Sequence, residues 1–367
     1  MVVPCNASNG LLGCARRLRD DGLFTLRIWI DLANSPHVPF FRALVPEFRK
    51  RGHEVVVSAR DFAQTVELSE KAGLQATVIG RHGGRGLGGK GTSLFERAAN
   101  LARWARKSKF DLAVSHNSYS QILAARLLGL RTVTLMDYEH QPANHLAFRF
   151  ASRVIVPESF PSAGLRRFGA AGSKTVRYSG IKEDVYLANF QPDPDFRLIL
   201  SDLGISPEHV LVVVRPPARD ALYHRFENDL FDRLMVQLAS KPNLRVILLP
   251  RTDAQRSLYL ESGFENFVVP LQSLDGSNLI SASDLVISAG GTMNREAAAL
   301  GVPAVTIYAG EWAAIDEMLV RAGRLLRIAT IDDLNRLEFR KKPVAAARAQ
   351  HEVRSQVVDL ILEQPNT

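Results

Sequence analysis

The strongest chemical pattern in the chain is Ser288-Ala289-Gly290-Gly291-Thr292-Met293-Asn294-Arg295-Glu296. It follows the apolar run Leu285-Val286-Ile287 and leads into Ala297-Ala298-Ala299-Leu300, which reads as a strand, a glycine turn and the start of a helix. Such a turn presents free backbone N–H groups and the positive end of the helix dipole, and glycine lets an anion approach the backbone closely. Those properties suit a diphosphate held by Ser288, Gly290, Gly291, Thr292 and Asn294. Glu296, about a turn and a half further on, is a carboxylate able to accept hydrogen bonds from ribose hydroxyls. The competing reading is an ordinary strand-to-helix turn in which glycine is needed only for space.

Groups able to move protons cluster behind other strands. Asn34, Ser35 and His37 follow the first, His116 and Asn117 the fourth, and Asp137, Glu139 and His140 the fifth. A neutral histidine accepts a proton near pH 7, and a neighbouring carboxylate raises its basicity. His140 and Glu139, with Asp137, are therefore expected to form the acid–base group, with His116 and His37 as the next candidates. Each also has a plainer reading, as a loop cap or a packed side chain. Arg215 follows a later strand, and Pro216 and Pro217 stiffen the loop beside it, so its guanidinium is expected to meet the diphosphate.

The elements that must position these groups alternate along the chain. Short apolar, β-branched runs lie at Arg27–Asp31, Glu54–Ser58, Ala76–Ile79, Leu112–Ser115, Thr132–Met136 and Val154–Val156, with helical segments such as Phe41–Arg51 and Gln64–Ala72 between them. The pattern restarts after the proline-broken stretch Asn189–Asp195 at Val210–Val214, Leu244–Leu249, Phe267–Val269, Leu285–Ser288 and Ala304–Tyr308. This alternation predicts an α/β protein of two Rossmann-like parallel-sheet domains, residues 26–188 and 189–343, facing a central cleft. Residues 1–25 show neither periodicity and read as a disordered extension. Residues 344–367 hold a last amphipathic helix, Val344–Glu363, and a tail.

A length of 367 residues allows two such cores, and 46% hydrophobic with 23% charged residues is globular composition. The formal charge of +8 favours an anionic partner. It is spread along the chain without an aromatic–basic motif, which argues against nucleic acid. Cys5 and Cys14 have no spaced partners for zinc, and no apolar run approaches the roughly 20 residues needed to span a bilayer. Leu11-Leu12-Gly13-Cys14 looks like a lipoprotein cleavage box, but no charged start and long apolar stretch precede it. A cytoplasmic protein is expected.

The segment Gly290–Ala297 resembles the donor-binding motif of GT-B-fold glycosyltransferases, including the lipid-linked peptidoglycan N-acetylglucosaminyltransferase, and of UDP-N-acetylglucosamine 2-epimerases. The resemblance implies that Gly290, Gly291 and Thr292 hold a nucleotide diphosphate and Glu296 the ribose. A closer resemblance covers nearly all of residues 26–340, to the archaeal and bacterial family called domain of unknown function 354. It rests on Trp29-Ile30-Asp31-Leu32-Ala33-Asn34-Ser35-Pro36-His37, Ile79-Gly80-Arg81-His82-Gly83-Gly84, Asp137-Tyr138-Glu139-His140, Arg215-Pro216-Pro217-Ala218 and Gly290–Ala297. It implies a GT-B-like fold and leaves the reaction open.

Transfer of a sugar from a UDP-sugar type donor to a lipid- or polysaccharide-linked acceptor is the first expectation, with Asn34 counted among the nucleotide-sugar ligands. Epimerisation is the alternative. Against it, the 2-epimerases carry a glycine-aspartate-threonine run where this chain has Ser115-His116-Asn117-Ser118, and a histidine-arginine-rich segment where it has Arg215-Pro216-Pro217-Ala218. A nucleotide-sugar binding protein without turnover is the third reading.

Three patterns are set aside. Gly86-Leu87-Gly88-Gly89-Lys90-Gly91 fits a dinucleotide or P-loop pattern on paper, but Gly91 stands where a P-loop needs Ser or Thr, and the loop follows the third strand. Arg81–Gly91 is expected to be a mobile basic loop. Asp193-Pro194-Asp195 falls in the hinge, and helix N-termini with arginine can neutralise a diphosphate, so neither metal nor cofactor is expected. The helix Leu94–Lys107 is expected to pack through Leu94, Phe95, Ala98 and Leu101 and to expose Arg97, Arg103, Arg106 and Lys107, with anionic lipid as a lesser reading of that face.

Overall fold

The computed structural model describes residues 17–18, 24–81, 87–170, 172–217, 229–343 and 352–364. The chain divides into two compact units, the second running from Leu187 to residue 351 and the first made of the chain on either side of it.

The first unit is built on seven parallel strands: β1 (Arg27–Leu32), β2 (Glu54–Asp61), β3 (Ala76–Arg81), β4 (Leu112–Ser115), β5 (Arg131–Leu135), β6 (Arg153–Pro157) and β7 (Thr175–Tyr178). Their order across the sheet is β3-β2-β1-β4-β5-β6-β7. The order reverses between β1 and β4, which leaves a crevice at their carboxyl ends, the place where open α/β sheets bind ligands. Both faces are covered, as parallel sheets require. On one face helix α1 (His37–Lys50) buries Val38, Phe40, Phe41, Leu44, Val45 and Phe48, the i, i+3, i+4 spacing of a core-facing stripe. Each such phenylalanine contributes about 1.5–3 kcal/mol. On the other face helix α2 (Leu87–Arg106) packs Leu101 and Ala105 around Trp29, whose ring lies 5.7 Å from those of Trp104 and Phe110.

The second unit repeats the plan with β8 (Val210–Arg215), β9 (Leu244–Leu248), β10 (Phe267–Val268), β11 (Leu285–Ser288), β12 (Ala304–Thr306) and β13 (Leu326–Arg327), ordered β10-β9-β8-β11-β12-β13. All its neighbours are parallel, and the reversal falls between β8 and β11, where Arg215 pairs with Ser288. The two sheets bear out an α/β protein of two Rossmann-like halves. No helix among the described residues is long and apolar enough to cross a membrane.

Several local expectations change. The tail helix, α3 here, spans Glu352–Leu362 and belongs to the first unit, where Val353, Val357, Val358 and Ile361 join the core of Ile28, Leu44 and Phe48. Helix α2 begins at Leu87, so Leu87–Gly91 is helical rather than loop, while residues 82–86 lie outside the described part. Its Arg97 is buried instead of solvated, because Asp31 draws it inward, and Phe95 is exposed instead of packed. Strands β7 and β13 were not expected at all. Arg17–Leu18 pairs antiparallel with Phe24–Thr25 inside the segment read as featureless. Cys5 and Cys14 are outside the described residues.

Candidate functional site

In the second unit, β11 ends in the glycine turn and helix α4 (Gly291–Ala299) starts directly behind it. Its cap is Gly290, with no side-chain hydrogen bond, so the first N–H groups of the helix are left to whatever binds there. The turn is held from within. Ser288 Oγ accepts from Gly290 N at 3.1 Å, and Asn294 Nδ2 donates to Ser288 O and Gly290 O at 3.2 and 3.0 Å. Asn294 thus acts as a brace for the turn. Thr292 lies in the first helical turn.

Two arginines flank this helix start. Arg215 closes β8 beside Ser288; burial lowers its pKa, and the nearby Glu296 carboxylate opposes that shift. Arg251, which sequence reasoning did not single out, would lie 3.2 Å through Nη2 from a Cβ added to Gly290. It is anchored by a 2.8 Å bond from Nε to Pro216 O. Gly291 is equally confined: a Cβ there would stand 3.2 Å from Cζ and Nη2 of Arg295, which Asp316 holds by bonds of 2.8 and 3.0 Å. The turn is therefore a shaped, positively charged cradle of backbone donors. Ser288, Gly290, Gly291, Thr292, Asn294, Glu296 and Arg215 share it. Asn34 belongs to the first unit, where its Oδ1 accepts from Ser35 N at 2.9 Å.

In the first unit the strand ends hold a buried ionic group. Asp137, just past β5, lies 3.7 Å from His116 Nε2 and 3.1 Å from Lys182 Nζ, and Lys182 lies 3.5 Å from Glu183. His116, Asp137, Lys182 and Glu183 are all buried. The His37 ring stands 5.3 Å from that of His116, with its Nδ1 buried and without a hydrogen-bond partner. Burial first, then the charges of His116 and Lys182, push the His37 pKa well below its ordinary value; Asp137 pulls the other way, and Arg97 adds to the lowering. His37 is thus an uncharged base at neutral pH.

Glu139 and His140 pair at 3.8 Å, with His140 partly exposed and edge-on against Tyr138 at 5.5 Å. The ion pairs of Asp137 include His116 and Lys182, which joins Lys182 and Glu183 to the residues expected at this strand end. Lys182 and Glu183 escaped sequence reasoning because β7, the strand that delivers them, had not been recognised. The signal was the charged run Lys182-Glu183-Asp184 shortly after the alternating Thr175-Val176-Arg177-Tyr178.

Beneath the histidines Asp31 is fully buried at the end of β1. Arg97 grips it with two bonds of 2.9 and 2.8 Å, Ser58 Oγ donates at 2.6 Å, and Ser118 Oγ donates as well. Gly80 leaves the room for this arginine, since a Cβ there would come within 2.8 Å of Arg97 Cγ. Such a satisfied network fixes β1, β2 and the turn after β4 in one arrangement.

A family model described as "Protein of unknown function (DUF354)" matches residues 26–365. An uncharacterized protein of Methanocaldococcus jannaschii is 29% identical over 317 residues, 85% of this chain and 90% of that one. Among solved structures, the UDP-GlcNAc 2-epimerase of Neisseria meningitidis bound to UDP-GlcNAc gives a TM-score of 0.73 at 14% identity, covering 92% of this chain and 100% of that one. The UDP-GlcNAc 2-epimerase of Methanocaldococcus jannaschii gives 0.69 at 12% identity, with 92% and 99% covered. MurG of Acinetobacter baumannii gives 0.53 at 17% identity, with 91% and 98% covered. At these identities the likeness establishes the fold, which is GT-B-like.

Proposed function

The chain belongs to this DUF354 family, and from that premise we propose that it is a nucleotide-sugar-dependent enzyme that transfers the sugar of a UDP-sugar type donor to an acceptor hydroxyl. One observation carries the reading: helix α4 presents an uncapped start at the point where the sheet order reverses, with Arg215 at its side. Backbone donors, a helix dipole and a guanidinium together match the charge and spacing of a diphosphate. Structural neighbours solved with UDP-GlcNAc and UDP support the same ligand class. In this reading the uridine diphosphate sits on the second unit, with Glu296 at the ribose, and no metal or cofactor takes part.

Glycosyl transfer also needs a base for the acceptor proton and donors for the departing diphosphate. His37 and the His116–Asp137 pair are the groups placed for the first role; the N–H groups of α4 and Arg215 suit the second. The acceptor would be lipid- or polysaccharide-linked. A second reading, epimerisation of the sugar, draws on the buried group of His116, Asp137, Lys182 and Glu183, since that reaction needs acid and base groups flanking one carbon. Incubation with UDP-N-acetylglucosamine and product analysis separates them. Free UDP formed only with an acceptor supports transfer, a changed sugar still joined to UDP supports epimerisation, and failure to bind UDP or its sugar sinks both.

A further inference from the structure

Asn117 follows β4 and adopts φ +59°, the left-handed region that a non-glycine residue occupies only when its surroundings demand it. Its amide can be oriented without ambiguity. Asn144 Nδ2 donates to the Tyr138 carbonyl at 3.0 Å, which leaves Asn144 Oδ1 as an acceptor. Asn117 Nδ2 fills it at 2.8 Å and also donates to the Tyr119 hydroxyl at 2.9 Å. Both amide protons of Asn117 are thereby committed, and the flipped amide would set two oxygens against each other. What remains is Oδ1, buried and without a partner in a side chain only 8% exposed.

His37 also carries an uncommitted atom. Its Nδ1 is likewise buried without a partner, and its ring stands 5.3 Å from that of His116, the residue preceding Asn117, at a tilt of 43°. Buried polar atoms are almost always satisfied, so an orphaned amide oxygen behind the strand at which the sheet order reverses points to a ligand. The chemistry of that ligand is constrained. An amide oxygen accepts and cannot donate, so ionised phosphate and carboxylate oxygens cannot serve it, whereas a hydroxyl can. The local charges are already engaged, with Lys182 against Asp137 and Arg97 against Asp31.

We infer that Asn117 is a binding residue for an uncharged, hydroxyl-bearing group, a sugar ring or similar polyol, which donates to Asn117 Oδ1. The inference rests on the reading of the first unit as the part that handles the sugar or acceptor, and it names the substrate class of that site. Charged groups such as a phosphorylated acceptor head would have to lie elsewhere.

The test uses the full chain with asparagine-selective 15N labelling and three separate probes, N-acetylglucosamine, UDP and inorganic phosphate. The Asn117 side-chain amide is assigned by its loss in Asn117→Gly, a substitution that the positive φ tolerates. N-acetylglucosamine should shift that amide, and Asn117→Gly should weaken sugar binding by about tenfold or more, the value of one lost hydrogen bond. Tyr119→Phe, which disturbs the same network but keeps Oδ1, should bind the sugar within about twofold of the parent chain. The inference is overturned if the parent chain does not bind the sugar, if Asn117→Gly binds it undiminished, if Tyr119→Phe loses it equally, or if inorganic phosphate shifts the amide instead. UDP judges the other reading: sugar binding through Asn117 without UDP binding would remove the nucleotide proposal and leave this one standing.

Discussion

The ammonium of Lys182 lies 3.1 Å from Asp137 Oδ2, with both side chains buried, Asp137 just past β5 and Lys182 at the start of the helix Lys182–Leu187. Removing one partner of such a pair leaves a charge in a poorly solvating interior, which costs about 3–5 kcal/mol. Lys182→Met should therefore destabilise the first unit by an amount in that range, measured by urea unfolding. Adding Asp137→Asn should recover much of the loss. If the single substitution is neutral, the pair does not hold the site together.

The same group sets a pH dependence through His37. Its pKa in the folded protein lies well below the ordinary 6.5, so between those two values the unfolded chain binds the extra proton. The stability it confers is then present above pH 6.5 and is lost as pH falls below it. Melting temperatures should decline on acidification from neutral pH, and His37→Gln should flatten that decline. An equal slope in the variant would show that other groups govern it.

At the glycine turn, Gly291→Val places a branched side chain against Arg295, which is already fixed by Asp316. The variant should keep its circular dichroism spectrum and lose UDP affinity by about tenfold or more, the scale of a lost close backbone contact. Isothermal titration with UDP decides this. Unchanged affinity in the folded variant would move the diphosphate away from α4.

Two places compete for the base. His37→Ala and Asp137→Asn should lower turnover by roughly a hundredfold or more with little change in nucleotide affinity. His140→Ala and Glu139→Gln, which alter the other pair, should lower it far less. The reverse order, measured on whichever UDP-sugar turns over, would return catalysis to Glu139 and His140.

Both sheets were legible in the sequence because runs such as Val210–Val214 and Leu285–Ser288 are buried on both faces and so carry an unbroken apolar signal. The glycine turn was legible for a local reason, since strand, turn and helix follow one another directly. What escaped depends on partners distant in the chain. Arg97 looks like any charge on a helix until Asp31 and the space above Gly80 are placed beside it. Lys182 meets Asp137 only through the pairing of β5, β6 and β7, and β7 is a half-buried edge strand with weak patterning. The uncommitted oxygen of Asn117 is a property of a four-residue hydrogen-bond chain that no linear motif encodes.

Helix α3 completes the core of the first unit with residues made after the whole of the second. During synthesis the seven-stranded sheet would emerge early yet lack Val353, Val357, Val358 and Ile361, leaving the apolar surface around Phe48 and Tyr178 uncovered. The second unit carries all of its strands within one continuous stretch and can close as soon as that stretch leaves the ribosome. The order of maturation would then be inverted relative to the order of translation, and the half bearing His37 and His116 would become firm last.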